Sequence, residues 1–219
     1  MNKVCAFRTN AWLPGLLLLA PFVLGAADGA TITYRRVFKG SNPEFIEIKV
    51  SEDGTASFDI RQLAEEADSQ ALDVGPAIRG RIFQLADRLN NFEGKNLDVR
   101  RRIASLGQKT FRYENGAVVH ETQFNYTLDT DASQLAMIFE GLARQQRNLT
   151  ELNRRLRYDH LGVNDALRQF ENDLDHRVLP EPERLLPVLD RIVADSRLVE
   201  IARQRARSLA QRIRSSMAN

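Results

Sequence analysis

The stretch that decides the fold is 131-DASQLAMIFEGLARQQRNLTELNRRLRYDHLGVNDALRQFENDLDHRV-178. Leu135, Leu142, Leu149, Leu156, Val163 and Phe170 recur in it every seven residues. Ile138, Phe139, Leu152, Leu167 and Leu174 fill much of the space between them. A repeat of seven lays these side chains along one stripe of a helix, and that stripe must be covered by something. Asp131 is the expected N-cap, with Gln134 three residues on in the capping-box position. The helix is expected to reach Tyr158. Its middle is very polar: Arg144, Gln145, Gln146, Arg147 and Asn148. A helix leaving the edge of a globular core has this composition, and so does one whose stripe narrows to a coiled-coil seam.

The expected break is Tyr158–Gly162, with Gly162 suited to the position after a helix end and Asn164 or Asp165 able to cap the next helix. That next helix carries Leu167, Phe170, Leu174 and Val178. If the chain reverses at Gly162, the two helices pack as a hairpin, which is the favoured reading. If it does not, they form one kinked rod that invites dimerisation, so monomer or homodimer is left open.

Beyond this tract the chain stays helical. Pro182 can begin a helix, and Leu185, Leu186, Val188, Leu189, Ile192 and Val193 are its apolar face. Pro187 falls either within its first turn or at a kink. A last helix is expected from about Ser196, with Leu198, Val199, Ala202, Ala206, Leu209, Ala210 and Ile213 along one side. Arg203, Arg205, Arg207, Arg212 and Arg214 oppose or border that side and form the candidate interaction surface. Guanidinium groups there could grip an envelope protein or an anionic polymer. They also suit the C-terminal end of a helix as a solvated basic face.

The segment before the tract alternates with a period of two, the strand signature. Ile32, Tyr34 and Arg36 face one way; Thr33, Arg35 and Val37 face the other. Phe45, Ile46, Ile48 and Val50 make the next strand, and Ala56, Phe58 and Ile60 return from a Glu52-Asp53-Gly54 turn. Residues 62–73 are polar and read as a loop. Gly75-Pro76 opens a helix with Ile78, Ile82, Leu85, Ala86, Leu89 and Phe92 on one stripe, running to about Asn91 and covering the sheet. Arg100-Arg101-Arg102 lacks interleaved aromatics and reads as a solvated face of a short helical segment. A second hairpin turns at Asn115-Gly116, between Thr110–Tyr113 and a strand carrying Val118, His120, Thr122 and Phe124. His120 and Glu121 are adjacent on this strand and point to opposite faces, so they cannot form one acid–base pair. His120 reads as a hydrogen-bonded sheet histidine.

The first 27 residues carry an address. Lys3 and Arg8 precede an apolar run from Ala11 to Leu24, and Gly25, Ala26 and Ala27 follow. This is the layout of a secretory signal peptide, with cleavage expected after Ala26 or Ala27. The run is too short for a membrane span and is interrupted by Pro14 and Pro21. The product, about 190 residues, is expected in the periplasm or outside the cell, with no transmembrane segment. It would contain no cysteine, because the single one is Cys5.

Composition adds exclusions. The net charge of +2, from 31 basic and 29 acidic residues, gives no field that points to nucleic acid. His120, His160 and His176 have no metal-ligand spacing, and no nucleophile-elbow, P-loop or dinucleotide motif occurs. No catalytic residue, metal ligand or cofactor is therefore expected. The Asn125-Tyr126-Thr127 and Asn148-Leu149-Thr150 acceptor patterns fall inside expected regular elements and are discounted.

The expected class is α+β: N-terminal antiparallel hairpins with a packed helix over residues 28–130, then a long helix and a C-terminal helical bundle over 131–219. The order from Thr31 to about residue 145 is hairpin turn Asp53-Gly54, helix from Pro76, hairpin turn Asn115-Gly116, helix from Asp131. It resembles the plan of emfourin-type protease inhibitors and related small exported domains. That resemblance implies inhibition of an exported protease as an alternative function and carries over no inhibitory residue. The leading expectation is an exported, non-catalytic binding protein of the bacterial envelope. A hydrolase with carboxylates brought together in space is the third.

Overall fold

The computed structural model describes residues 29–99 and 103–218. The expected signal peptide and the Arg100–Arg102 run lie outside the described residues. The fold is α+β. Six antiparallel strands form one sheet: β1 (Thr31–Val37), β2 (Phe45–Ser51), β3 (Ala56–Arg61), β4 (Gln70–Ala71), β5 (Gln108–Asn115) and β6 (Val118–Phe124). Their order is β4-β3-β2-β1-β5-β6, so the first strand is central and pairs with both hairpins. Among the described residues, five α-helices follow the strands or interrupt them: α1 (Pro76–Arg88), α2 (Thr130–Tyr158), α3 (Val163–Asp175), α4 (Leu186–Ala194) and α5 (Glu200–Met217).

Period-two patterning puts one row of side chains across the sheet. Phe58, Ile48, Tyr34, Phe111 and Thr122 lie opposite one another on neighbouring strands. This face is covered by α1 and the first half of α2, which bring Ile82, Leu85, Leu135 and Phe139 into the first core. The rings of Tyr34 and Phe139 stack at 5.3 Å. The other face carries charge: Glu47 binds Arg35 and Lys49, and Arg112 reaches Glu114 and Glu121. One greasy face and one laddered face is the economy of an antiparallel sheet covered on one side.

The helical half forms a second core from Leu152, Val163, Leu167, Phe170, Leu189 and Ile192 together with the apolar side of α5. Helix α2 contributes to both cores. Its residues from Ala132 to Ala143 belong to the first, and Leu152 with its neighbours to the second. The first half of α2, which starts at the division expected at residue 131, thus packs with the N-terminal core. All described core residues lie between Ala30 and Ile213, so a chain starting at Asp28 carries both cores.

The chain does reverse at Gly162, and the seven-residue stripe is consumed inside it. Leu135, Leu142, Val163 and Phe170 are fully buried, and Leu149 and Leu156 pack against the second core. The local chemistry of the reversal differs from expectation. Gly162 has φ −76°, not a left-handed value, and Asp159 holds the corner by accepting from its N–H at 3.0 Å. Likewise the N-cap of α2 is Asp129, whose carboxylate accepts from Ala132 N at 2.9 Å. Asp131 instead pairs with Arg88, and Gln134 accepts from Arg81, so both tie α2 to α1. Three residues after Asp129 stands Ala132, so α2 starts from a plain aspartate cap rather than a capping box, while Asp131 and Gln134 are taken up by α1.

Other boundaries move. The polar segment 62–73 contains the short edge strand β4. Helix α1 stops at Arg88, because Asn90, Asn91 and Phe92 all take positive φ. Asparagine tolerates that region; Phe92 is held there by burial and by its ring stack on Phe111 at 5.2 Å. Helix α3 ends at Asp175, before Val178, and Arg177 turns the chain with φ 53°. Pro187 sits in the first turn of α4, and α5 begins at Glu200 rather than Ser196.

Candidate functional site

The five C-terminal arginines are spread over ion pairs within the bundle. Arg203 pairs with Glu200 one turn before it. Arg205 reaches Glu171 at 3.2 Å and Asn164 at 2.8 Å, both on α3. Arg212 joins Asp175 and Glu171, and Arg214 grips both oxygens of Asp190 on α4 at 2.7 and 2.8 Å. Among the described residues, only Arg207 of the five has no carboxylate within ion-pair distance. The set is better explained as clamps that fix α5 to α3 and α4 than as one open basic face.

The structure brings together a different set. A cleft of about 690 Å³ opens between the β3 side of the sheet and the α2–α3 hairpin. Its helical wall runs along α2 from Arg144 to Arg155, which is about 16 Å of helix. The opposite wall is Arg61, Gln62, Glu65 and the Asn42-Pro43 turn. Arg61 stiffens that wall. It pairs with Asp59 at 3.0 Å, donates to the Glu65 carbonyl at 2.8 Å, and lies over the Phe45 ring at 4.4 Å. Phe58, Ile60 and Ala166 give a small apolar floor.

Amide side chains supply much of the remaining lining, from Asn42, Gln62, Gln70, Gln146, Asn148 and Gln169. Amides offer donors and acceptors together, which suits a polar chain lying against them. The single aromatic in the lining, Phe58, is buried, so there is no ring platform for a sugar to stack on.

Asp173 anchors the cleft from below. Its carboxylate is 3 % exposed and accepts from Asn148 Nδ2 at 2.8 Å, Arg144 Nη1 at 3.2 Å and Gln169 Nε2 at 3.4 Å. Arg144 thereby stands at the rim with half its side chain in solvent. Arg147 is different. It donates to the Asn42 carbonyl at 3.3 Å and, among the described residues, has no carboxylate within ion-pair distance. Partial desolvation, then the charges of Arg144 and Arg36, pull its pKa below the usual arginine value. Asp173 offsets part of that repulsion, and an anionic group placed against Arg147 would offset more.

A second buried latch lies next to this site. Glu181, 5 % exposed, accepts from Gly75 N with both oxygens at 2.9 and 3.1 Å, at the start of α1. Its own N–H donates to Gln145 Oε1 at 3.0 Å. A carboxylate at a helix N-terminus answers the free N–H groups and the positive end of the dipole. Gln145 and Asn148 are thus not a solvated stretch. They are a buried polar belt at the level where α2 passes from one core to the other.

Each of the seven carboxylates with a displaced pKa (Glu44, Glu47, Asp53, Glu114, Glu151, Asp159 and Asp195) is displaced downward. His120, His160 and His176 each donate a ring N–H to a backbone carbonyl, of Asn91, Leu156 and Asn172 respectively. For His120 this agrees with the sheet histidine expected from its strand position. Among the described residues, no three His, Cys, Asp or Glu side chains are grouped to hold a metal ion. No described helix is long and apolar enough to cross a membrane.

No protein-family model matches the chain, and no curated protein is detectably similar to it in sequence. The cleft residues span Asn42 to Asp173 and meet only in three dimensions. The one signal in the sequence was the polar interruption Arg144–Asn148 in an apolar stripe.

Proposed function

We propose that this chain is an exported, non-catalytic binding protein of the bacterial envelope. In this reading it holds an extended, acidic segment of a partner protein in the cleft between the sheet and the α2–α3 hairpin. The observation that carries the reading is Arg147, close to Arg144 and Arg36 and with no described carboxylate within ion-pair distance. It stands at the mouth of a groove lined by amides and by carboxylates such as Asp173 and Glu151 that other arginines of the groove engage. Rim amides would take the backbone of the segment, and Arg147 with Arg144 an acidic side chain. The basic, apolar, small-residue layout of residues 1–27 supports export. The C-terminal arginines are largely occupied by Glu171, Asp175, Asp190 and Glu200, so the contact is assigned to the cleft rather than to α5.

The test is selection of a displayed library of random linear peptides on the chain starting at Asp28. Enrichment of acidic sequences is expected, with Arg147→Glu weakening them by roughly tenfold or more, about 1.4 kcal/mol. Mass spectrometry of the selected peptides should find them intact. Failure to enrich any acidic sequence, or affinity indifferent to Arg147→Glu, would overturn the site. Cleavage of the peptides would overturn the non-catalytic reading.

A further inference from the structure

The corner where α2 turns into α3 is built unlike the rest of the surface. Tyr158 and Leu161 project from it, 73 % and 80 % exposed, the two most exposed large apolar side chains described. Beside them is a depression of about 770 Å³ between the end of α2 and the end of α4. Four arginines line it: Arg154 and Arg157 from α2, Arg191 from α4 and Arg197 from the turn that follows. The lining holds one carboxylate, Asp195, which Arg197 grips at 2.7 and 2.9 Å. Arg154 is shared with Glu151 in the next turn, at 2.8 Å. Arg157 lies over the Tyr158 ring at 5.8 Å, and Arg191 donates to Asn153. Among the described residues, neither Arg157 nor Arg191 has a carboxylate within ion-pair distance.

The corner is also stiff. Asp159 caps Gly162, Arg155 ties Asp159 to Glu151, and His160 donates to the Leu156 carbonyl at 3.0 Å. The backbone that carries the two apolar side chains is therefore held by hydrogen bonds and ion pairs.

We propose that this corner docks the protein on an anionic phospholipid surface, with headgroup phosphates in the arginine-lined depression and Leu161 and Tyr158 inserted between lipids. Guanidinium groups match phosphate oxygens in pairs, and exposed cations are drawn to a negative bilayer surface. An apolar tip beside a ring of cations, with a tyrosine at the border, is the arrangement that a lipid–water interface rewards. Free phosphate would use the cations but leaves Leu161 in water without a reason. Docking here does not depend on the cleft, which opens on the other side of α2's C-terminal turns toward the sheet.

The chain offers a direct reporter. Its one tryptophan is Trp12, so a chain starting at Asp28 has none, and Leu161→Trp introduces a single fluorophore at the tip. That variant is mixed with phosphatidylcholine vesicles and with vesicles that also contain phosphatidylglycerol. Flotation with the anionic vesicles alone is expected, together with a blue shift of the tryptophan emission. Added salt should weaken both. Reversal of the two unpaired cations, Arg157→Glu with Arg191→Glu, should lower partitioning roughly tenfold or more. Both positions are exposed, so the far-UV spectrum should not change. Absence of flotation, flotation without the blue shift, or partitioning unmoved by the reversal would each overturn the proposal. So would binding of inorganic phosphate by a chain that ignores the vesicles, which would make the depression a soluble-anion site.

Discussion

At the scale of single residues, the unusual feature is how much polar chemistry is buried where the two cores meet. Asp173 is the strongest case, because one carboxylate answers Asn148, Arg144 and Gln169 at once. Asp173→Ala should cost about 2–4 kcal/mol in urea unfolding, since it leaves a buried amide and a guanidinium without their acceptor. A loss below about 0.5 kcal/mol, the range of an ordinary surface change, would mean that water replaces the carboxylate and the latch is not structural. Tyr34 is a second case. Its ring is fully buried, and its hydroxyl donates to Glu140 at 2.5 Å, where Arg36 also binds at 3.1 Å. Tyr34→Phe keeps the ring stack on Phe139 and removes only that bond, so about 1–2 kcal/mol should be lost. Neither residue could be singled out in the sequence. Tyr34 was legible as a core-facing strand residue from its alternation, but its partner is 106 positions away. Asp173 lies with Asp175 and His176 near a helix end, and nothing local points to Asn148 or Arg144 as its partners.

At the scale of elements, α2 explains why the fold was largely readable and the cleft was not. Periodicity is a local property, so the hairpins at Asp53-Gly54 and Asn115-Gly116, the α1 stripe and the seven-residue stripe were legible at once. Burial of a polar stretch depends on what packs there from elsewhere: the composition of Arg144–Asn148 fits a helix leaving a core or a coiled-coil seam, whereas the stretch in fact crosses between two cores. With 29 residues α2 is about 43 Å long, more than one small core can cover. The second half is covered by α3 and α4, with α5 packed behind them, so the stripe has no face left for another copy of the chain. Light scattering behind size exclusion on the chain from Asp28 should therefore give the mass of a monomer; a stable dimer would require a surface other than the stripe. The crossing is also tight. The strap after α3 passes over α2 at Gly141, where an added Cβ would meet the Val178 carbonyl oxygen at 2.7 Å and Pro180 at 2.9 Å. Backbone on one side and a proline ring on the other leave little room to relax. Gly141→Ala should cost about 1–3 kcal/mol despite alanine's better helix propensity. A neutral or stabilising result would show that the strap lifts freely.

At the scale of the whole molecule, the surface charges set a pH window for stability. The Arg154 guanidinium holds Glu151 down to about 2 from an ordinary value of 4.5. Asp195 is lowered by Arg197, Asp159 by the Gly162 N–H, and Glu114 by Arg112. In each case the folded pKa lies below the unfolded one. The stabilisation is present above the unfolded value and is lost as protons are forced on, from about pH 4.5 down to about 2 for Glu151. These groups are largely exposed, so salt should flatten this acid limb. The alkaline limb has a different origin. Burial first, then the charge of Glu140, pushes the Tyr34 phenol far above its ordinary value of 10.0. Its stabilisation is complete below pH 10 and falls away above it, because the unfolded chain can release the proton and the folded chain cannot. Tm followed by circular dichroism across pH should thus decline at both ends. Tyr34→Phe should lower the plateau and soften the alkaline decline while leaving the acid limb in place. Salt should do the reverse, softening the acid limb and sparing the buried tyrosine. An alkaline limb identical in Tyr34→Phe and the parent would mean that the phenol ionises within the fold, and that the first core opens around it more easily than its packing implies.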